Sequence, residues 1–173
     1  LKKILKIPGK HNIYNALASI TVARILGVPD KISFDTLLQY RGSWRRFDLK
    51  QACLPAGREK AGNNKITVIS DYGHHPTEVL ATLRATREKY SKKKIWCVFQ
   101  PHQYQRTHYL FENFVKTFSR IAGKIDNIII ADIYDVAGRE IKKINIEVSS
   151  EKLVEKINKN NIKYFSLCDI EKY

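Results

Sequence analysis

The sequence predicts a mixed α/β fold built around a mainly parallel sheet, with a short helical segment ahead of it. Short runs of β-branched apolar residues alternate with longer segments of helical periodicity over most of the chain. That alternation is typical of right-handed strand–helix–strand crossovers, which make neighbouring strands parallel. A second observation is a half-polar segment at 47–54 that is followed by a turn and another strand. It indicates a hairpin, which we expect to form an antiparallel edge of the sheet.

The N-terminal elements indicate the end of a domain whose larger part lies elsewhere. Residues 4–7 are expected to form a short strand, and Asn12 to open a helix that Gly27 stops. Ser33 is expected to cap a second, shorter helix. Two such helices cannot bury their own apolar faces, so we expect them to belong to a domain whose larger part lies elsewhere. A connector with glycine and arginine at 40–46 marks the boundary, and we predict one domain over residues 1–41 and a second over 42–173.

The remaining elements follow from the apolar periodicity. Nearly continuous apolar runs at 66–70 and 128–133 are typical of buried strands, whereas the alternation at 47–54 indicates a half-exposed strand. A polar turn is expected at 57–64. Further strands are predicted at 95–99 and 163–167, and helices at 76–90, at 108–122 and from Ser149 or Ser150 onward.

The charge balance is strongly basic, because 31 lysines and arginines against 17 aspartates and glutamates give a net charge of +14. Such a balance suits a nucleic-acid or an anionic-membrane partner. The lysines are nevertheless scattered, and the sequence has no zinc-finger spacing, no aromatic RNA-binding strand motif and no long basic helix. An anionic small substrate fits the charge equally well. We therefore expect neither nucleic acid nor membrane as a partner.

Composition also indicates the compartment and the extent of the chain. Three widely spaced cysteines, Cys53, Cys97 and Cys168, are typical of reduced thiols rather than of a disulfide framework or a zinc site. No apolar run approaches the ~18 residues that span a bilayer. A cytoplasmic protein is expected. The chain begins with Leu1 and contains no methionine, which indicates a piece of a longer protein with a segment upstream.

The strongest candidate for a functional site is the polar stretch 71–78, Asp-Tyr-Gly-His-His-Pro-Thr-Glu. It follows a predicted strand and enters a helix, with Pro76 suited to the first helical position and Glu78 to the positive end of the helix dipole. In open α/β sheets, ligands bind in the crevice beyond the strand ends. The alternative is a plain polar loop before a capped helix. The stretch 71–75 contains a carboxylate, a phenol and two imidazoles, and four such polar or titratable groups within five residues favour a functional site.

Three further motifs lie in predicted loops. Residues 9–16, Gly-Lys-His-Asn-Ile-Tyr-Asn-Ala, place Asn12 and Asn15 on one helical face, where two amides can address a purine edge, although Asn12 alone suits an N-cap. Residues 42–47, Gly-Ser-Trp-Arg-Arg-Phe, carry adjacent arginines that can clamp phosphate, although lone arginines are usually solvated. Residues 99–107, Phe-Gln-Pro-His-Gln-Tyr-Gln-Arg-Thr, follow a parallel strand and are expected beside 71–75.

The four motifs, in this order and spacing, resemble the Mur ligases, the amide ligases of bacterial cell-wall synthesis, over residues 6–140. The last two motifs are similar to those of members that add L-alanine to UDP-N-acetylmuramate through an acyl phosphate. The resemblance implies a central P-loop domain that holds ATP and Mg²⁺, and a Rossmann-like C-terminal domain that closes at a hinge near 40–46. Because the chain has no GxxxxGK[ST] loop, the resemblance implies the end of the central domain plus most of the C-terminal domain, incomplete at its C-terminal end, and we expect no catalysis by this chain alone.

The resemblance also implies roles toward ATP. His11, Asn12 and Asn15 would lie at the adenine, Arg46 at the phosphates and Asp71 at the ribose. Arg45 is expected to be a spectator. The catalytic and metal-binding groups themselves would come mainly from the upstream domain.

A second group of residues would serve the amino acid, whose carboxylate needs a cation. One position departs from the family pattern: Gln103 stands where many members have arginine, and a neutral amide cannot replace a guanidinium in a bidentate clamp. The amino-acid site is therefore weaker or built differently. The resemblance places Tyr72, His74, Gln103 and Arg106 around L-alanine, with His75 and His102 as supports that orient the loops.

Three alternatives stay open at this point. The first is the related ligase that recycles murein tripeptide, which has the same chemistry and a larger amine substrate. The second is a basic Rossmann-like module that binds nucleotide or nucleic acid without catalysis. The third is a degenerate ligase, for which Gln103 is the only hint.

We predict that Arg46→Ala, made in the full-length protein, abolishes ATP turnover while the fold stays intact. The reason is that the developing phosphate charge loses its guanidinium partner. Phosphate release and circular dichroism measure the two effects, and an unchanged rate would contradict the role given to Arg46.

Overall fold

The computed structural model describes residues 1–52, 66–135 and 147–166. The chain forms two compact units, Leu1–Gly73 and His74–Tyr173. The predicted mixed α/β class is confirmed, with three strands in a parallel sheet and two in a small antiparallel sheet. Among the described residues, the antiparallel pair forms a sheet of its own rather than an edge of the larger one. The turn predicted at 57–64 lies outside the described residues, and the domain boundary between 41 and 42 stays a prediction.

Helices α1 (Lys10–Ile25) and α2 (Asp30–Gln39) form the helical part of the first unit. Helix α1 begins two residues before Asn12, which does not cap it; the Asn12 side-chain amide instead donates to the Pro8 carbonyl at 2.7 Å. The cap predicted at Ser33 is also wrong, because α2 begins at Asp30, directly after Pro29. A bidentate ion pair between Arg24 of α1 and Asp30, at 2.7 and 2.8 Å, links the two helices. It favours a start of α2 at Asp30.

Residues 4–7 form turns and not the predicted strand. The backbone N–H groups of Ile4 and Leu5 both donate to the Leu1 carbonyl, at 2.9 and 3.0 Å. A four-residue run that ends at a proline has little length for pairing, so its backbone groups are satisfied locally.

Strands β1 (Asp48–Ala52) and β2 (Ile66–Ser70) pair antiparallel, with Asp48 opposite Ser70 and Ala52 opposite Ile66. The predicted bounds of β2 are confirmed. The prediction that β2 is buried is wrong, because Ile66 and Val68 are 51% and 42% exposed. A two-stranded sheet is too narrow for both of its faces to be buried. The β-branched residues of β2 therefore indicated a strand but not its burial.

The second unit contains the parallel sheet, in the order β3–β4–β5, with β3 at Trp96–Phe99, β4 at Asn127–Ala131 and β5 at Ile162–Phe165. Trp96 lies opposite Asn127, and Ile128 opposite Ile162. The ends of all three strands lie within two residues of the predicted ends, and β4 and β5 each end two residues earlier than predicted.

In the described part of this unit, the α-helices are α3 (Pro76–Lys89), α4 (Tyr104–Tyr109), α5 (Phe111–Ile121) and α6 (Ser150–Ile157), and a short 3-10 helix, Ala122–Lys124, follows α5. The single helix predicted at 108–122 is divided at Leu110, and α4 was missed because its residues are polar and only Thr107 is buried. Of the two serines considered, Ser149 caps α6, since its hydroxyl accepts from the Lys152 N–H at 3.1 Å.

An aromatic and aliphatic core holds these helices on the sheet. Phe99 of β3 lies with its ring centroid 5.4 Å from Phe114 and 5.3 Å from Phe118. Ile128, Ile130 of β4 and Leu153 of α6 complete the fully buried centre. The core fixes where β3 and β4 end, and therefore where the loops 100–103 and 132–135 begin.

Cys97 of β3 packs beside this core as a free thiol. Burial raises its pKa to about 12, so the thiolate is not formed near neutral pH. Cys53 and Cys168 lie outside the described residues.

Arg87 joins three segments at the amino ends of the strands. Its guanidinium donates to the carbonyls of Lys124 at 2.6 Å and Lys93 at 2.8 Å, and to the Asp126 carboxylate at 2.7 Å. The same carboxylate oxygen accepts the Ile95 N–H at 2.9 Å. The pKa of Asp126 is lowered, first by the Ile95 N–H and then by Arg87, because both stabilise the charged form.

We predict that Asp126→Asn lowers the temperature of unfolding near neutral pH. Because the folded pKa of Asp126 lies below its ordinary value of 3.8, its contribution to stability is present above that pH and is lost as the pH falls through the folded pKa. The difference between the variant and the native protein should therefore shrink below about pH 4.

Thermal unfolding followed by circular dichroism across this pH range checks the prediction. Glu88→Gln, which neutralises an exposed carboxylate next to Arg87 in helix α3, is the matched control. A difference that stays constant down to acidic pH would contradict the role assigned to the Asp126 charge.

Candidate functional site

Asp71 follows β2 in the first unit and holds two main-chain groups. One carboxylate oxygen accepts the Phe47 N–H at 2.9 Å, and the other accepts the Gly73 N–H at 2.7 Å. Phe47 has a φ of 51°, a left-handed backbone conformation that an apolar residue rarely adopts. The carboxylate thus secures a strained segment against the end of β2. Its predicted contact with the ribose stays a prediction.

Arg45, expected to be a spectator, contacts two aromatic rings. Its guanidinium carbon lies 5.4 Å from the ring centroid of Trp44 and 5.1 Å from that of Tyr72. Arg46 lies 5.9 Å from the same Tyr72 ring. The Tyr72 N–H also donates to the Arg45 carbonyl at 2.7 Å. Both arginines therefore place positive charge over the face of Tyr72.

The adenine-side candidates lie at the start of α1. Asn12 and Asn15 fall three residues apart in the helix, as predicted, so they share a face. Asn15 and its neighbour Tyr14 are exposed, while His11 and Asn12 are partly buried. The roles of His11, Asn12 and Asn15 toward adenine stay predictions.

The first loop of the second unit is built around Glu78. Pro76 occupies the first position of α3, as predicted, with His75 as the N-cap. The Glu78 carboxylate accepts the N–H groups of both His74, at 3.0 Å, and His75, at 3.2 Å. His75 in turn accepts the Thr77 N–H through Nδ1 at 3.3 Å. This reciprocal capping fixes the loop that presents His74, whose Nδ1 lies 3.6 Å from Glu78.

The second loop joins Arg106 to His102. The Arg106 Nη1 group lies 3.2 Å from His102 Nδ1 and 3.4 Å from its carbonyl oxygen. Because a guanidinium can only donate, Nδ1 must accept, and the ring proton of the neutral imidazole is on Nε2. The pKa of His102 is lowered, first by burial and then by the charges of Arg106 and His74. The pair is therefore a fixed cation beside a neutral imidazole, and His74 is close enough to affect it.

Gln103 has a strained backbone that is held from both sides. Its φ of 71° is unusual for a residue with a side chain. Its N–H donates to the Tyr134 carbonyl at 2.7 Å, and its carbonyl accepts the N–H and the hydroxyl of Thr107 at 3.1 and 2.9 Å. Position 103 thus turns the chain from β3 into α4, whichever side chain it carries.

Sequence reasoning missed a third polar loop, at the end of β4. Asp132 accepts the Tyr164 hydroxyl at 2.5 Å and the Ser166 hydroxyl at 3.3 Å, and this contact raises the pKa of Tyr164. Two residues later, the Tyr134 ring stacks on His102 with centroids 5.4 Å apart. An aspartate and a tyrosine directly after a parallel strand were the available signal.

The described residues contain no group of three or more His, Cys, Asp or Glu side chains that could hold a metal ion. Within the same residues, no helix combines the length and apolar character needed to cross a membrane.

Comparison with known proteins assigns the family. Residues 58–169 match the model of the Mur ligase, glutamate ligase domain. The chain belongs to the Mur ligase family. It is 46% identical over 167 residues to the UDP-N-acetylmuramate–L-alanine ligase of Clostridium acetobutylicum, covering 96% of this chain and 32% of that protein. The enzyme of the same name from Persephonella marina is 40% identical over 155 residues, covering 90% and 30%. This Mur ligase chain thus spans about a third of the length of these relatives.

Solved structures show the same fold. The UDP-N-acetylmuramate–alanine ligase of Thermotoga maritima matches with a TM-score of 0.61 and 26% identity, covering 97% of this chain and 32% of that one. A murein peptide ligase of Psychrobacter arcticus matches with a TM-score of 0.57 and 22% identity, covering 96% and 31%. The second likeness is one of fold alone, so it does not separate the two kinds of Mur ligase.

We predict that Glu78→Ala destabilises the protein by about 1 kcal/mol, the usual value of a lost helix cap. Glu78→Gln should retain most of the stability, because an amide oxygen can still accept both N–H groups. Urea unfolding measures the change. Glu112→Ala, which removes an exposed glutamate from the first turn of α5, is the control for the helix dipole. Equal losses in Glu78→Ala and Glu112→Ala would contradict the capping role.

Proposed function

We propose that the protein containing this chain is an ATP-dependent ligase that joins L-alanine to UDP-N-acetylmuramate in peptidoglycan precursor synthesis, in the cytoplasm. The observation that carries the proposal is the Arg106–His102 pair, which holds a guanidinium by a neutral imidazole in the loop after β3. The relatives that bear this enzyme's name, at 40% and 46% identity over most of the chain, support the choice of substrates.

Arg106 is proposed to bind the carboxylate of the incoming alanine. A guanidinium presents five N–H donors in a planar fork, and a carboxylate accepts two of them at once. In the described hydrogen bonds, His102 contacts only the Nη1 group of the Arg106 guanidinium. Tyr72 and His74 are proposed as further contacts of the amino acid, and His75 as a support through its position at the helix cap.

The proposed reaction has two steps. The lactyl carboxylate of UDP-N-acetylmuramate attacks the γ-phosphorus of ATP, giving an acyl phosphate and ADP. The alanine amine then attacks the acyl carbon, loses a proton and, through a tetrahedral intermediate, expels inorganic phosphate as the amide forms. Such chemistry depends on positioning and on stabilising negative charge, which arginine, histidine and asparagine side chains supply without covalent participation.

The nucleotide side is proposed to use His11, Asn12 and Asn15 at the adenine, Arg46 at the phosphates and Asp71 at the ribose. Mg²⁺ is implied by the family, but the described residues do not fit it, because they contain no cluster of ligands for a metal ion. We propose that its ligands lie in the P-loop domain outside this chain.

Gln103 bears on the amino-acid site of either candidate, the alanine-adding ligase or the ligase that recycles murein tripeptide. This chain has an amide where the resemblance implies arginine in many family members, and an amide cannot replace a guanidinium in a bidentate carboxylate clamp. The two candidates differ in the amine substrate and not in the chemistry. A non-catalytic nucleotide-binding or nucleic-acid-binding module is the remaining alternative.

We predict that the full-length protein releases phosphate from ATP, with magnesium present, only when UDP-N-acetylmuramate and L-alanine are both added. Both are needed because the carboxylate of UDP-N-acetylmuramate forms the acyl phosphate, and attack by the alanine amine then releases inorganic phosphate from it. A coupled phosphate assay, with each substrate omitted in turn, measures the dependence.

Release that requires both substrates would establish the alanine ligase and make Gln103 a tolerated variation. Release with the tripeptide and not with alanine would move the function to the recycling ligase. Absence of release with either amine, while the protein still binds ATP, would favour the non-catalytic module or a degenerate ligase.

A further inference from the structure

Tyr134 makes three contacts with the loop after β3, which are two backbone hydrogen bonds on either side of His102 and one ring stack on His102 itself. Its N–H donates to the Pro101 carbonyl at 2.8 Å, and its carbonyl accepts the Gln103 N–H at 2.7 Å. The two backbone bonds form a parallel bridge between His102 and Tyr134. Above the bridge, the tyrosine and imidazole rings stack with centroids 5.4 Å apart and an angle of 23° between their planes. The backbone bonds place the loop, and the stacked ring constrains the imidazole within it.

The constraint passes from the imidazole to Arg106. Arg106 lies four residues after His102, and its Nη1 group approaches both Nδ1 and the carbonyl oxygen of that residue. For the Nδ1 contact, the imidazole must keep one ring orientation and the tautomer that carries the proton on Nε2. An imidazole stacked on the Tyr134 ring has fewer orientations available to it. Tyr134 therefore contacts His102, and His102 in turn contacts Arg106.

We propose that Tyr134 is a positioning residue that, through His102, fixes the guanidinium of Arg106 for the carboxylate of the amino-acid substrate. The carboxylate part rests on the function proposed above, whereas the effect of Tyr134 on His102 does not.

The exposure of Tyr134 separates this role from a purely structural one. The residue is 54% exposed, so its side chain contributes little to the buried core. Its two described hydrogen bonds to the loop use the backbone N–H and carbonyl of Tyr134, so they do not depend on the side chain. Removing the ring should therefore loosen His102 and Arg106 while the unit stays folded.

Steady-state kinetics of the full-length protein test the effect on the substrate. Tyr134→Ala should raise KM for L-alanine roughly 2- to 10-fold, the range that one stacked aromatic contact supports, with KM for ATP and for UDP-N-acetylmuramate unchanged. Tyr134→Phe keeps the ring and should behave as the native protein. Tyr109→Ala is the matched control, because it removes an exposed tyrosine ring packed edge-on against a different histidine, His108. No rise in Tyr134→Ala, or an equal rise in all three KM values, would overturn the proposal.

A second readout needs no substrate. In protein labelled with ¹⁵N-histidine, the His102 imidazole signals, assigned by their loss in His102→Asn, should show the Nε2–H tautomer. In Tyr134→Ala they should show a mixture of tautomers and a pKa closer to the ordinary 6.5, because the ring is less buried and less constrained beside Arg106 and His74. Tyr134→Phe should leave both unchanged.

The two readouts separate failure of this proposal from failure of the proposed function. If the native protein does not use alanine, the function is wrong and the His102 signals alone decide about Tyr134. Signals that are the same in Tyr134→Ala as in the native protein, or that change as much in Tyr134→Phe, would overturn the positioning role. Circular dichroism and thermal unfolding verify that each variant is folded.

Discussion

The parallel pairing of β3 with β4 is the constraint on which the second unit depends. Parallel strands begin at one edge of a sheet and end at the other, so the loops that follow β3 and β4 must emerge side by side. The buried phenylalanines of α5 hold the two strands in register from one face. Pairing then continues past the strands themselves, in the bridge between His102 and Tyr134. The polar groups of the candidate site are placed by an extension of the sheet, and a sheet is stiffer than an isolated loop.

In both units, carboxylates accept hydrogen bonds from backbone N–H groups of the candidate loops. Asp71 accepts two backbone N–H groups around the end of β2, and Glu78 accepts two at the start of α3. A charged acceptor forms stronger hydrogen bonds with backbone donors than a neutral one does, so each carboxylate orders a loop that would otherwise be mobile. The histidines and aromatic rings beside these loops are consequently held in defined positions before any ligand arrives. That preorganisation reduces the entropy lost on binding, which suits a reaction driven by positioning.

Local patterns predicted the elements whose stabilising interactions are themselves local. The start of α3 followed from proline and glutamate at the first turn, and the start of α6 from a capping serine, because the bonds involved span three or four residues. The three parallel strands followed from runs of β-branched residues between turn signals. Helix α4 was missed and the start of α2 misplaced, because the first has little apolar periodicity and the second is favoured by an ion pair between residues six apart, Arg24 and Asp30.

By itself, the sequence determined the α/β class, the polar loops that bear the candidate site and the resemblance to the Mur ligases, since all three depend on residue types at short, fixed spacings. Tertiary structure alone decided what those side chains contact. It showed that β2 has exposed apolar residues, that Arg45 contacts two aromatic rings, and that Tyr134, thirty-two residues after His102, stacks on its imidazole. Contacts of this kind are made between segments far apart in the chain, and no local periodicity records which distant segments a sheet will bring together.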